Sequence, residues 1–197
     1  MKDDLVLLVV GSGGREFAVA KKLKESPHVK TVYCAPGNVG MQTIGVETVP
    51  IEETDLDGLL DFAQSKHVDW TFVGPENVLC AGITDKFEKA GQKIFGPNQR
   101  AAQLEGSKDY ALRFMSKYNI PTARYETYAS AETCIAGLKN FDYPVVIKED
   151  GLAGGKGVTI AQNQDVAEET IREMLAGGQT AVMLEECLVG PEYSVFV

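Results

Sequence analysis

The segment PVVIKEDGLAGGKGVTIA, residues 144–161, sets two short β-branched runs around a glycine-rich centre. Val145-Val146-Ile147 is apolar, reads as a buried strand and ends on Lys148. Val158-Thr159-Ile160-Ala161 has the same character. Gly151, Gly154, Gly155 and Gly157 lie between them with Lys156, so the segment is expected to be a hairpin with a mobile tip. Glycine lets backbone N–H groups turn toward an anion and approach it closely. Lys148 would add a fixed positive charge and Lys156 a mobile one, a combination that suits a polyphosphate. A P-loop is excluded: Asp150 stands where its first glycine belongs, Gly157 follows the lysine, and the flanks are both strands. A protein-kinase loop is excluded because no kinase catalytic triplets follow. The plain alternative is a flexible hairpin with an exposed lysine.

Moving toward the N-terminus, the chain alternates strands and helices. Leu5 to Val10 is continuously apolar, as in a parallel strand covered on both faces. Gly11-Ser12-Gly13-Gly14-Arg15-Glu16 follows, then a helical stretch to Lys24. A glycine turn into a helix N-terminus attracts anions. The dinucleotide fingerprint fails, since Glu16 holds the third glycine position and the strand Lys30 to Cys34 runs into Ala-Pro-Gly-Asn without an acid for a ribose. NAD is therefore disfavoured, and a phosphate or sugar phosphate remains. A strand at 46–49, a helix over Asp55 to Lys66, a strand over Trp70 to Val73, a helix over Ala81 to Ala90 and a strand over Lys93 to Phe95 complete a βαβ series. This predicts an α/β, doubly wound parallel sheet. The loops Gly11–Glu16, Pro36-Gly37-Asn38 and Gly74-Pro75-Glu76 would all leave its carboxyl edge, where ligands bind.

Two helices are expected next, Asn98 to Glu105 and Lys108 to Tyr118, the second capped by Ser107. Ile120-Pro121 marks a boundary. Beyond it come a strand over Arg124 to Tyr128, a helix over Ala131 to Leu138, the glycine hairpin, a helix over Val166 to Leu175 and a strand over Ala181 to Glu185. Tyr193 to Val197 is expected to begin another strand. Glu185-Glu186 and Glu192 flank Val189-Gly190-Pro191, and carboxylates suit an amino group or ribose hydroxyls. A solvated acidic turn is the alternative.

Composition narrows the partners. A formal net charge of -9 argues against nucleic acid and anionic membranes. No apolar run approaches the roughly 18 residues of a membrane span. MKDDLVLLVVG is not a signal peptide, because acids precede a short apolar run. Cys34, Cys80, Cys134 and Cys187 are widely spaced, and only two histidines are present, so zinc is not expected and reduced thiols in a cytoplasmic protein are.

The order Lys108, Lys148, glycine hairpin, Glu185 through Glu192 resembles the ATP-grasp fold. GSGGRE at 11–16, PGN at 36–38, GPE at 74–76, AAQLEGSK at 101–108, GLAGGKGV at 151–158 and EECLVGPE at 185–192 narrow the resemblance to the glycinamide ribonucleotide synthetases, or phosphoribosylamine–glycine ligases. It covers essentially the whole chain. It implies a Rossmann-like, pre-ATP-grasp domain over 1–105, a connecting helix over 106–122, the smaller α+β ATP-grasp lobe over 123–192 and the start of the larger lobe over 193–197. It also implies ATP with Mg2+ or Mn2+, and the substrates glycine and phosphoribosylamine. Lys108, Lys148, Gly154, Gly155, Lys156 and Gly157 would address the phosphates. Glu185, with the backbone of Glu186 and Leu188, would hold adenine, and Glu192 the ribose. Gly13, Gly14, Arg15, Glu16, Pro36, Gly37, Asn38, Gly74, Pro75 and Glu76 would hold phosphoribosylamine. The family's reaction passes through an acyl phosphate of glycine, and its full-length chains are expected to be monomeric.

The sequence departs from the family pattern at Phe17, where histidine is usual, at Asn77-Val78-Leu79, and at Gly154, where alanine is usual. Family chains run to roughly twice this length, so an N-terminal fragment is expected, with catalytic and metal-binding acids beyond Val197. Another ATP-grasp carboxylate–amine ligase and a non-catalytic nucleotide-binding module are the alternatives.

Overall fold

Five parallel strands form the first sheet of the computed structural model, in which residues 3–151 and 157–195 are described. They are β1 (Leu5–Gly11), β2 (Val29–Pro36), β3 (Glu47–Thr48), β4 (Trp70–Val73) and β5 (Ile94–Phe95), in the order β3-β2-β1-β4-β5. The apolar run of β1 is central and Leu8, Val9 and Val10 are fully buried, since helices cover both faces. One face carries Leu8, Val10 and Val73 against α3 (Leu56–Ser65), α4 (Glu76–Cys80) and α5 (Ile83–Lys89), with Leu59, Val78 and Phe87 at its core. The other carries Val9, Val32 and Cys34 against α1 (Gly14–Lys24) and the short α2 (Val39–Gln42). Asp55 caps α3 by accepting from Gly58 N–H.

The expected helix over Ala81 to Ala90 is α5, and the short α4 before it was not expected from the sequence. Gly82 takes φ +91, a left-handed conformation that ends α4 and starts α5 in a new direction. Two of the departures from the family pattern bear on the core: Val78 is fully buried, and Phe17 packs against the cluster under α1, whereas Asn77 is exposed and Gly154 lies outside the described residues. α6 (Gln99–Gly106) closes this unit, which spans Met1–Gly106.

The second unit, Ser107–Val197, is built on an antiparallel sheet. Its strands are β6 (Tyr125–Tyr128), β7 (Val145–Glu149), β8 (Val158–Ala161) and β9 (Val182–Glu186), in the order β6-β9-β7-β8. Val145, Ile147, Ala161, Val182 and Leu184 point to one face, which α8 (Ala131–Gly137) and α9 (Gln164–Ala176) cover through Cys134, Ala167 and Ile171. α7 (Lys108–Lys117) begins the unit with Ser107 as its cap, accepting from Tyr110 N–H. Tyr193 to Val195 is not a strand: Tyr193 and Val195 are each 81% exposed, and an apolar run becomes a strand only when a neighbour pairs with its backbone.

Candidate functional site

In the first unit the strand order reverses between β1 and β4. The chain leaves β1 into α1 on one face and leaves β4 into α4 on the other, the arrangement that opens a crevice at the carboxyl edge of a parallel sheet. The three glycine-containing loops meet there. Asn38 Nδ2 donates to Ser12 O at 2.7 Å, and Gly37 N donates to Gly11 O at 3.1 Å, which ties the β2 loop to the β1 loop. Arg15 Nη1 donates to Glu76 Oε1 at 2.8 Å, which ties the β1 loop to the β4 loop. Pro36 ends β2 opposite Gly11, and Pro75 precedes the first residue of α4.

Glu16 organises this edge. It is 3% exposed, its Oε2 accepts from Gly13 N–H at 2.8 Å, and its Oε1 accepts from Arg15 Nε at 2.8 Å. A carboxylate at the third helical position reaching back to the first free amide is one half of a capping box. The glycines around it make room for it. A Cβ at Gly74 would lie 1.9 Å from Glu16 Oε1, one at Gly13 would lie 2.8 Å from Oε2, and one at Gly11 would lie 2.7 Å from Cγ. The missing side chains at Gly13 and Gly74 are thus explained by Glu16 before any ligand is invoked. Gly14 differs: it is exposed, and nothing lies within 4 Å of its Cβ position. Arg15 is held above its ordinary pKa, first by its hydrogen bond to Glu76, and Glu76 is held below its own by Arg15. Cys34, beneath the same loop, donates to Gly11 O, and burial pushes its thiol up to about 12, so it is no nucleophile.

In the second unit the register places a set of side chains on the sheet face away from α8 and α9. Val146 pairs with Glu185 and Ile160, and Lys148 pairs with Met183 and Val158. Residues directly opposite one another share a face, so Val146, Lys148, Val158, Ile160, Met183 and Glu185 lie together. Val158 and Ile160 are 45% and 52% exposed and, among the described residues, lie outside this unit's core cluster, while Met183 on the same face is fully buried. At its centre Lys148 Nζ lies 2.5 Å from Glu185 Oε2, with side-chain exposures of 26% and 12%. The contact is a close ion pair on a mostly buried carboxylate.

Lys108, the first residue of α7, donates from Nζ to Gly151 O at 2.7 Å. Glu149 N donates to Gly157 O at 3.0 Å and closes the base of the hairpin. Gly154, Gly155 and Lys156 lie outside the described residues. Glu186 N donates to Arg124 O at 2.9 Å, and its carboxylate accepts from Arg124 N at 2.8 Å, so both groups are committed within the sheet. Leu188 and Glu192 are exposed and line an open concavity with Val189, Gly190 and Pro191. All four cysteines are free, and among the described residues no group of three or more His, Cys, Asp or Glu could hold a metal ion. Among those residues, too, no helix is long and apolar enough to cross a membrane.

Sequence reasoning had named the two lysines and Glu185 but not the apolar residues beside them. The signal was there: the two-residue period of Val146, Val158 and Ile160 places them on the lysine's face.

Comparison with known proteins places both units. Residues 5–105 match the phosphoribosylglycinamide synthetase N domain, and residues 106–197 match the ATP-grasp (A) domain of the same synthetase. The Lactococcus lactis phosphoribosylamine–glycine ligase is 50% identical over 190 residues, 96% of this chain and 46% of that one. The crystal structure of the Thermotoga maritima phosphoribosylamine–glycine ligase superposes with a TM-score of 0.72 at 31% identity, over 95% of this chain and 45% of that one. An ADP complex of N5-carboxyaminoimidazole ribonucleotide synthetase, at 18% identity and a TM-score of 0.73 over 95% of this chain and 48% of that one, shows the same fold. The chain spans about half the length of the curated relatives it matches. With one model matching each of its two units, the chain belongs to the phosphoribosylglycinamide synthetase family.

Proposed function

We propose that the protein is part of an ATP-dependent ligase that joins glycine to 5-phosphoribosylamine. ATP phosphorylates the glycine carboxylate, the amine attacks the resulting acyl phosphate, and glycinamide ribonucleotide, ADP and phosphate leave. The observation that carries the reading is the open face of the second sheet, where a lysine–glutamate pair sits in an apolar floor at the base of a glycine-rich hairpin. A purine ring fits against Val146, Val158 and Ile160, and Glu185 can accept from its exocyclic amine. Lys148 then trades part of its contact with Glu185 for phosphate oxygens. Lys108 and the hairpin amides, including those of Gly154, Gly155 and Gly157 with Lys156, address the outer phosphates. Glu192 would take the ribose, with Leu188 and Glu186 bordering the base.

The linked loops of the first unit suit a sugar phosphate. Gly14 and the start of α1 offer amides to the phosphate and Gly13, whose own amide is held by Glu16, leaves room beside them, while Arg15, Asn38 and Glu76, carried by the turns at Pro36-Gly37 and Gly74-Pro75, offer groups to hydroxyls and the amine. Glu16 holds this arrangement in shape. Mg2+ or Mn2+ would accompany ATP. Among the described residues no group of three or more His, Cys, Asp or Glu could hold that metal. The chain is read as two folding units, 1–106 and 107–197, of a cytoplasmic enzyme that is monomeric at full length.

The test is coupled ADP release by the full-length protein, with glycine and freshly prepared phosphoribosylamine added separately and together. Release is expected only with both. Turnover indifferent to glycine would point to another ATP-grasp ligase, and nucleotide binding without turnover to a binding module.

A further inference from the structure

We infer that Asp150 is a positioning residue for the phosphate-directed Lys108; this rests on the nucleotide reading above. Asp150 follows β7 directly, and its carboxylate reaches the first turn of α7, about forty residues earlier in the chain. Its two oxygens accept from Ser107 Oγ at 3.2 and 3.1 Å, and Oδ1 also accepts from Asp109 N–H at 3.3 Å. Ser107 Oγ in turn accepts from Tyr110 N–H at 3.1 Å. The residues on either side of Lys108 are therefore both fastened to one carboxylate, which also suits the positive end of the helix dipole.

The other end of the lysine is fastened to the neighbouring residue. Gly151 takes φ +97, a conformation glycine adopts without strain, and its carbonyl receives the Lys108 ammonium at 2.7 Å. Asp150, Ser107, Lys108 and Gly151 thus close a ring of contacts. Lysine has four rotatable side-chain bonds, so an ammonium tied only at its helix would sample many positions. The ring fixes its backbone and its head against the same two hairpin residues. Phosphate binding then exchanges one acceptor, the Gly151 carbonyl, for another without first ordering the helix start. Asp150 touches no reacting atom and acts through Lys108.

A double-substitution cycle tests this in the full-length protein, using isothermal titration with a nonhydrolysable ATP analogue and thermal melting of each variant. Asp150→Ala is expected to weaken analogue binding by about 5- to 20-fold, the loss of an ordered charge-assisted contact. Asp150→Asn keeps an oxygen for Ser107 and the Asp109 amide, so it is expected to lose no more than about threefold. In a Lys108→Met background, Asp150→Ala should change affinity by less than about twofold, because coupled residues are not additive. An undiminished Asp150→Ala effect in that background, or none in the native one, overturns the inference alone. Failure of the unsubstituted protein to bind the analogue overturns the nucleotide reading and the inference together.

Discussion

The carboxyl edge of the parallel sheet and the open face of the antiparallel sheet both gather charged residues, but they hold them differently. At the edge, Glu16 is nearly fully buried under three glycines and is bound by a backbone amide and a guanidinium. Such a group cannot move without displacing backbone. On the face, among the described residues, Lys148 is paired with Glu185 and Lys108 with the Gly151 carbonyl, while Val158 and Ile160 beside them stay exposed. Those contacts can be traded for a ligand one at a time. The first region is built by exclusion of side chains and the second by provisional pairing, and substitutions separate the two.

Breaking the first region should have the largest effect. Gly74→Ala places a methyl group 1.9 Å from Glu16 Oε1 and 2.6 Å from its Cδ. The glutamate must leave its bonds to Gly13 and Arg15, and overpacking adds to that loss, so unfolding free energy should fall by about 3 kcal/mol. Chemical denaturation of Gly74→Ala and of Gly14→Ala makes the comparison, since Gly14 faces open space. Equal losses would show that general loop strain, and not the Glu16 socket, accounts for the effect.

The second region should respond in affinity first. A charge-assisted contact contributes roughly 1.5–3 kcal/mol, so Lys148→Met should weaken binding of an ATP analogue by roughly 10- to 150-fold. Removing the ammonium also strands a mostly buried carboxylate, for about 1–3 kcal/mol of stability. Adding Glu185→Gln should restore much of the stability and little of the affinity, and titration calorimetry beside thermal melts separates the two. Affinity recovered together with stability would remove Lys148 from the phosphate site.

A smaller effect sharpens the apolar half of that face. Ile160 is 52% exposed and lies outside the core cluster, so Ile160→Ser should leave the melting temperature nearly unchanged. If a purine covers it, the lost apolar contact should weaken analogue binding by about 5- to 10-fold. Thr133→Ser, on α8, serves as the control. A fall in stability without a fall in affinity would mean that the face packs against protein and not against a base.

How much of this was legible in the sequence follows from the physics of each region. The strands of the parallel sheet are long apolar runs or turn-bounded β-branched runs, and their order follows from βαβ handedness, so the doubly wound sheet could be read directly. The short α4 could not, because the five residues Glu76–Cys80 are too few to show a helical period. Lys148 and Glu185 were legible as strand-end charges. Their pairing was not, because register joins residues 37 positions apart and only tertiary structure sets it. Tyr193 to Val195 shows the converse error, where β propensity without a paired neighbour yields no strand. The roles of Glu16 and Asp150 were hidden for a shared reason: each is a carboxylate whose partners are mostly backbone amides and small residues, which carry no sequence signature of the contact.

The smallest expected effect belongs to the exposed link between the two glycine loops. Arg15 and Glu76 meet at 2.8 Å with side-chain exposures of 53% and 45%. Arg15 holds the Glu76 carboxyl below its ordinary value of 4.5, chiefly through their hydrogen bond. A carboxyl whose folded pKa is depressed stabilises the protein at pH values above its unfolded pKa. The contribution is lost as pH falls from there through the folded pKa, where both states become protonated. Solvent screening at this exposure limits it to a few tenths of a kcal/mol. Glu76→Gln should therefore melt slightly below the unsubstituted protein at pH 7, and the gap should close between about pH 5 and pH 3 and narrow in 1 M salt. Thermal melts across that range decide the matter. A gap that persists at pH 3 would mean that Glu76 joins the loops by packing, and the edge would then have no exchangeable ionic contact to set against the Lys148–Glu185 pair.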